Sequence, residues 1–249
     1  MGVSVHQKVL GWNQTNHDDY VIYDWTFTNT GNVDTDDEIE LQNQTINDFY
    51  FMRINRWSGR GRSWSPQHFG SAYGEFSGDS LRMTYMYPGR TEGSSYDNIA
   101  DPRRSDGGWL RDPMYRGETF MHVDKSADDD SDDPSQPQMT GVGHPETACI
   151  KVEADQLTPA DHSTLYQIMS IGLLPYDGTP EMEGTYPGTH HSVRMEDRGF
   201  QYNKEVGFGG RLLNLTSSGP FTLAPGESIR MVWAMVIGTI TPEEGFEIG

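Results

Sequence analysis

The stretch YVIYDWTFTNT (20–30) alternates in character residue by residue, with Val21, Tyr23, Trp25 and Phe27 all on one side. A period of two belongs to a strand with one buried face, and a helix could not gather those four side chains. Near the other end of the chain, SIRMVWAMVIGTI (228–240) is apolar on both faces, as expected of a central strand covered on both sides. FYFMRIN (49–55), LRMTYMY (81–87) and TACIKVE (147–153) also read as strands. In LRMTYMY one face carries Leu81, Met83, Tyr85 and Tyr87. GGRLLNL (209–215) is the expected partner of the final strand, and Pro225-Gly226 between them signals a type II turn. One segment suggests a helix, LTPADHSTLYQIMSIGLL (157–174). Thr158 suits the N-cap, Pro159 the first helical position and Asp161 the first turn, and Leu165, Met169 and Leu173 then share a face. The spacing predicts a helix over part of 159–171, with a strand finishing the run.

These signals predict an all-β fold. The expected architecture is a single β-sandwich over residues 1–249, immunoglobulin-like or of jelly-roll type, with at most one or two short helices. A chain of 249 residues suits one large sandwich. Long loops are expected at about 29–44, 56–80, 87–118 and 124–146, where glycine, serine, aspartate and arginine accumulate. The 6 Trp, 12 Tyr and 10 Phe separate the chain from disordered sequences, which lack such residues.

Charge narrows the list of partners. The net charge is −19, which argues against nucleic acid and anionic membrane surfaces. No run approaches the length of apolar sequence that spans a membrane, so membrane insertion is not expected. Residues 9–52 carry nine acids and no lysine or arginine, whereas 53–116 carry ten arginines. Such layers suit docking of one loop set on another, or on a partner. The surplus of acid with few lysines suits salty or calcium-containing water, where ions screen self-repulsion. The lone Cys149 excludes an intramolecular disulfide and lies in a strand-like run, as a small buried residue would. MGVSVHQKV lacks the pattern of a signal peptide.

Two turn motifs carry a family resemblance. TNTGN (28–32) follows an alternating strand, and GPFTLAPGESIRMVWAMVIG (219–238) places a leucine before a Pro-Gly turn and a long apolar strand after it. Together they resemble immunoglobulin-like modules of the CARDB type in large secreted bacterial proteins. The resemblance implies an extracellular adhesion, matrix or accessory module, and it supplies no catalytic residues. The long middle rich in Arg, Trp and Tyr departs from a simple module of that kind.

Two acidic runs are candidate metal sites. In HVDKSADDDSDDPSQP (122–137) the carboxylates of Asp124, Asp128, Asp130 and Asp132 alternate, so an extended loop could present them on one side. Calcium takes six to eight oxygens, which such a row could supply. An EF-hand is excluded, because the turn glycine and terminal glutamate are missing. A solvated acidic loop is the plain alternative. Asp34 and Asp36, with Asp37 and Glu38, form the second run. Calcium is the one cofactor these patterns suggest.

A third region offers rings and guanidinium groups. Arg56, Trp57, Arg60, Trp64 and Tyr73 lie in RINRWSGRGRSWSPQHFGSAYGEF (53–76), and Trp109 lies in the next long loop. Aromatic faces stack on sugars, and arginine forks bind hydroxyls or carboxylates, so a polysaccharide groove is one reading. The other is that the tryptophans are core and the arginines pair with the acidic excess. The adjacent His190 and His191 would point to opposite faces of a strand, which argues against a shared metal. No nucleophile elbow, phosphate loop or zinc motif is present, so no catalytic residue is assigned. If the source is bacterial, as the resemblance implies, the sequons at Asn13, Asn43 and Asn214 are mostly chance matches.

The sequence thus predicts a non-enzymatic structural, assembly or adhesion module at the cell surface or in the medium, with calcium as its candidate stabiliser. Its partners would be other copies of itself or neighbouring domains. Either the apolar final strand or the N-terminal VSVHQKVLGW could pair edge to edge. The alternative is a carbohydrate-active domain that binds or cleaves polysaccharide through its Arg/Trp/Tyr loops.

Overall fold

A computed structural model describes residues 2–55, 67–72, 82–88, 114–145, 159–171 and 212–241, with Glu243, Glu244 and Glu247. Among these residues ten strands and one helix run in the order β1 (Val3–Gly11), β2 (Tyr20–Asn29), β3 (Ile46–Asn55), β4 (Gln67–Ala72), β5 (Met83–Pro88), β6 (Met114–Ser126), β7 (Asp129–Asp132), β8 (Met139–Pro145), α1 (Pro159–Ile171), β9 (Leu212–Leu223) and β10 (Ser228–Thr239). All pairings are antiparallel. The fold is all-β and sandwich-like, as the alternation predicts.

The larger sheet has the order β1-β2-β10-β6-β5-β4, with β7 added to the end of β6. The smaller has the order β3-β9-β8. Between them, Phe27, Phe120, Val123, Ile229, Met231 and Trp233 of the larger sheet meet Phe49, Phe221 and Leu223 of the smaller. Tyr23, Trp25 and Phe51 pack against that cluster. Trp25 meets Trp233 edge to face at 4.7 Å, and Tyr23 stacks on Trp233 at 5.6 Å. Each such pair adds about 0.5–1.5 kcal/mol beyond its buried area. Helix α1 packs on the smaller sheet. Tyr166 meets Tyr50 edge to face, and Ser217 Oγ donates to the Met169 carbonyl at 2.9 Å.

A bulge keeps β6 in phase with the core. Trp233 pairs with Phe120 while Val232 pairs with His122, so Met121 is the extra residue and is half exposed. The bulge explains how Phe120 and Val123, three apart, both face inward. It also moves His122 and Asp124 to the opposite face.

Four expectations need correction. Residues 124–145 are not the long loop expected over 124–146. They hold the end of β6, the strand β7 and the strand β8, because side chains and backbone pair the acidic residues into a hairpin. The loops expected at 56–80 and 87–118 likewise contain β4 and the start of β6. The strand before the Pro-Gly turn, β9, does not pair with β10 but with β3 and β8. The turn carries the chain between sheets instead, with Glu227 N donating to the Ala224 carbonyl at 3.0 Å and Gly226 at φ +84°. A positive φ there is what a type II turn demands and glycine tolerates. Finally, β10 cannot offer an edge to a neighbour, since β2 and β6 occupy both its sides. The helix over 159–171 is present as expected; TACIKVE, Cys149, Leu173 and His190-His191 lie outside the described residues.

Candidate functional site: an acidic loop beside an open sheet edge

The two turn motifs meet around Asn29, which is 2% exposed. Its amide Nδ2 donates to the carbonyls of Gln44 and Leu223, both at 2.9 Å. Its backbone N–H donates to Glu227, and its carbonyl accepts from Gly226. One buried side chain therefore fixes the end of β2, the exit of the 30–45 loop and the inter-sheet turn. The Gly2 carbonyl accepts from Thr30 N and Gly31 N, and Leu41 N donates to the Gly31 carbonyl. The loop is thereby tied to the start of β1.

Within that loop the side chains form a ladder. Asp34 N donates to Asn32 Oδ1 at 2.9 Å, Asp36 N to Asp34 Oδ1 at 3.0 Å and Glu38 N to Asp36 Oδ1 at 2.8 Å. Val33 N donates to Glu40 Oε2 at 2.9 Å, which folds the loop's far end back. Short polar side chains that capture N–H groups two residues on favour this tight winding over a strand or helix. As a result, ligand atoms of Asp34, Asp36 and Glu40 lie within 4.8 Å of one another, all three exposed. This arrangement could hold a metal ion. A groove of about 590 Å³ runs from Val3 and Ser4 past Thr30 to Asp34 and Asp36.

The structure therefore brings Asp34 and Asp36 together, and adds Glu40, which the sequence reading did not single out. The signal was available: Asn32, Asp34, Asp36, Glu38 and Glu40 continue one alternation. Asp37 lines the same groove without joining the triad.

The run 124–132 is arranged differently. Asp124 and Asp132 face each other across β6 and β7. Asp124 Oδ1 lies 2.6 Å from His122 Nε2, and its Oδ2 accepts from Arg230 N at 2.7 Å. Asp132 takes a two-pronged contact from Arg82, Nη1 to Oδ1 and Nη2 to Oδ2, both at 3.1 Å. Its Oδ1 also accepts from Val123 N at 3.0 Å. Asp128 sits in the turn and accepts from Ser126 Oγ at 2.6 Å, and Asp130 is exposed. The structure joins Asp124 with Asp132 and leaves Asp128 and Asp130 at the hairpin tip. Arg56, Trp57, Arg60, Trp64, Tyr73 and Trp109 lie outside the described residues.

A buried ion pair closes the other end of the core. Glu118 is 1% exposed, and its Oε2 lies 2.8 Å from Arg53 Nε. Asn55 Nδ2 donates to Oε2 at 2.7 Å and Thr216 Oγ1 to Oε1 at 2.9 Å. The Arg53 guanidinium lies over Trp233, 4.3 Å from the ring centre, with Tyr23 at 5.6 Å. Burial pushes the Glu118 pKa up, against the opposing pull of Arg53 and the two hydrogen bonds. Burial likewise pulls the Arg53 pKa down, partly offset by Glu118. Every polar atom of the Glu118 carboxylate has a partner, so its place in the core is structural.

Strand β1 closes the larger sheet on one side and, among the described residues, pairs only with β2. Residues 4–11 are exposed throughout, with Val5 at 43% and Val9 at 57%. The chain matches no family model, no curated protein and no solved structure.

Proposed function

We propose that this chain is a non-enzymatic extracellular module, secreted or on the cell surface of a bacterium, that assembles with other copies or with neighbouring domains through the edge of β1. The observation that carries this reading is the uncovered nine-residue strand itself. Edge strands present unpaired N–H and C=O groups, and monomeric proteins blunt them with proline, bulges, covering segments or charged side chains, lysine above all. Among the described residues β1 has no proline, bulge or covering segment, Lys8 is its one lysine, and its register with β2 is unbroken from Val3 to Gly11. The Asp34/Asp36/Glu40 triad adds calcium to the reading. Bound there, the ion would stiffen the loop that holds Gly2 and so the start of β1. Extracellular modules bind calcium at roughly 10⁻⁴–10⁻³ M, which suits a site of few carboxylates.

Thermal melts in millimolar calcium and in EDTA test the metal. Calcium should raise Tm in the native chain by mass action and leave Tm unchanged in Asp36→Asn. An equal shift in both proteins, or none in either, would remove calcium from the reading. Fractionation of the source cells tests the location; protein confined to the cytosol would refute it.

A further inference from the structure

The chemistry of the β1 partner can be read from the charges along the edge, given the assembly reading above. Lys8 is the single lysine or arginine in residues 1–52. It stands with His6 on one face of β1, both exposed. Asp24, opposite Lys8 on β2, is already gripped by Arg230, Nε to Oδ1 at 2.9 Å and Nη2 to Oδ2 at 3.2 Å. The middle of the edge is therefore basic. Both ends are acidic: Asp34, Asp36 and Asp37 line the groove at the Val3 end, and Asp18 and Asp19 stand exposed in the turn beyond Gly11. The order along the edge is acid, base, acid. A second copy of β1 would set like charge against like at all three levels, whether it ran parallel or antiparallel in register. On the other face, Val5 and Val9 leave apolar surface for alternate side chains of an incoming strand.

We propose that β1 docks an extended strand of a different chain, one with carboxylates at its centre, basic residues at both ends and apolar side chains at alternate positions. The backbone ladder supplies adhesion, and the charge order supplies selection.

The probe is the synthetic peptide Lys-Thr-Val-Glu-Val-Glu-Val-Thr-Lys, compared with its charge-reversed counterpart, each at about 1 mM, a level that detects weak binding. Hydrogen exchange on the full chain should show protection of 3–11 by the first peptide only. Lys8→Glu should weaken that binding by about tenfold and favour the reversed peptide. Equal protection by both peptides overturns the charge selection and leaves edge assembly standing. No protection by either overturns both. Protection of 3–11 that grows with protein concentration alone, with dimers in sedimentation, also overturns the proposal, because the occupant is then a second copy. Running each arm with calcium and with EDTA keeps the metal question separate.

Discussion

Arg53→Met cuts the buried ion pair at its basic end and keeps a flexible apolar stem between Tyr23 and Trp233. The arginine side chain is 14% exposed and the Glu118 side chain 0%, so water cannot replace the lost partner. Removing one member of a buried pair costs about 3–5 kcal/mol. The lost contact with the two rings adds about 0.5–2 kcal/mol, which methionine packing partly returns. Asn55 and Thr216 still donate to the carboxylate, and the glutamate can escape by taking a proton. We therefore expect a loss of about 3 kcal/mol at pH 7.5, a large part of the roughly 5–15 kcal/mol that stabilises a typical domain. The sign with pH follows from the raised Glu118 pKa. A carboxyl raised in the fold stabilises most below its unfolded value, here about 4.5, and loses that contribution as pH rises through the folded value. Without Arg53 the folded value rises further, so the deficit of the variant must grow as pH rises and shrink as it falls. Urea titrations of both proteins at pH 5 and 7.5 measure this directly. Adding Glu118→Gln to Arg53→Met should cost less than the sum of the two single changes. A deficit under about 1 kcal/mol at pH 7.5, or one independent of pH, would falsify the ion-pair account.

Three further changes probe other joints of the fold. Arg82→Ala removes the fork on Asp132 and the donation to the Asp133 carbonyl at 3.0 Å, and should cost about 2–3 kcal/mol, with faster hydrogen exchange over 123–133; an unchanged hairpin would show the fork to be idle. In Asp24, the hydrogen bond from Arg230 holds the carboxyl below its ordinary range, so its stabilisation is present above about pH 4 and fades as pH falls through the lowered value. Because Arg230 is half exposed, Asp24→Asn should cost under about 1 kcal/mol and flatten the acid limb of stability, and an NMR titration showing an ordinary Asp24 would refute the pairing. Gly219→Ala places a Cβ 2.5 Å from the Phe49 carbonyl oxygen at φ +127°, so backbone strain alone should cost about 1–3 kcal/mol; a wild-type Tm would show that the two strands can part there.

Strand identity was legible because it rests on period two alone. Tyr23, Trp25 and Phe27 alternate into the core as their spacing predicts, and Pro159 starts the helix its fixed φ favours. Strand partnership was not legible. A Pro-Gly turn between two apolar strands reads the same whether they form a hairpin or pass between sheets. What decides it is Asn29, 194 residues from Leu223, whose amide holds the turn against the end of β2. The bulge at Met121 was equally hidden. It shows only through the pairing of β6 with β10, and without it Val123 and Phe120 could not both be apolar and buried.

The two acidic runs show why composition alone could not rank the candidate sites. Both alternate aspartates, and both read as six-oxygen cages in waiting. In 124–132 the outer carboxylates, Asp124 and Asp132, meet the protein's own donors: Arg82, the His122 ring and the N–H groups of Val123 and Arg230. An ion there would have to displace a guanidinium fork, and two strands would lose their staple. In 32–40 the carboxylates meet only N–H groups of their own loop, one oxygen each, and no cation of the protein reaches them among the described residues. The difference originates outside either run, in Arg82, just ahead of β5, and in Arg230 of β10. Arginine placement, more than aspartate count, decides which acidic surface stays free for an external cation. The same logic leaves Lys8 exposed at the sheet edge, where Arg230 makes the hydrogen bonds to Asp24.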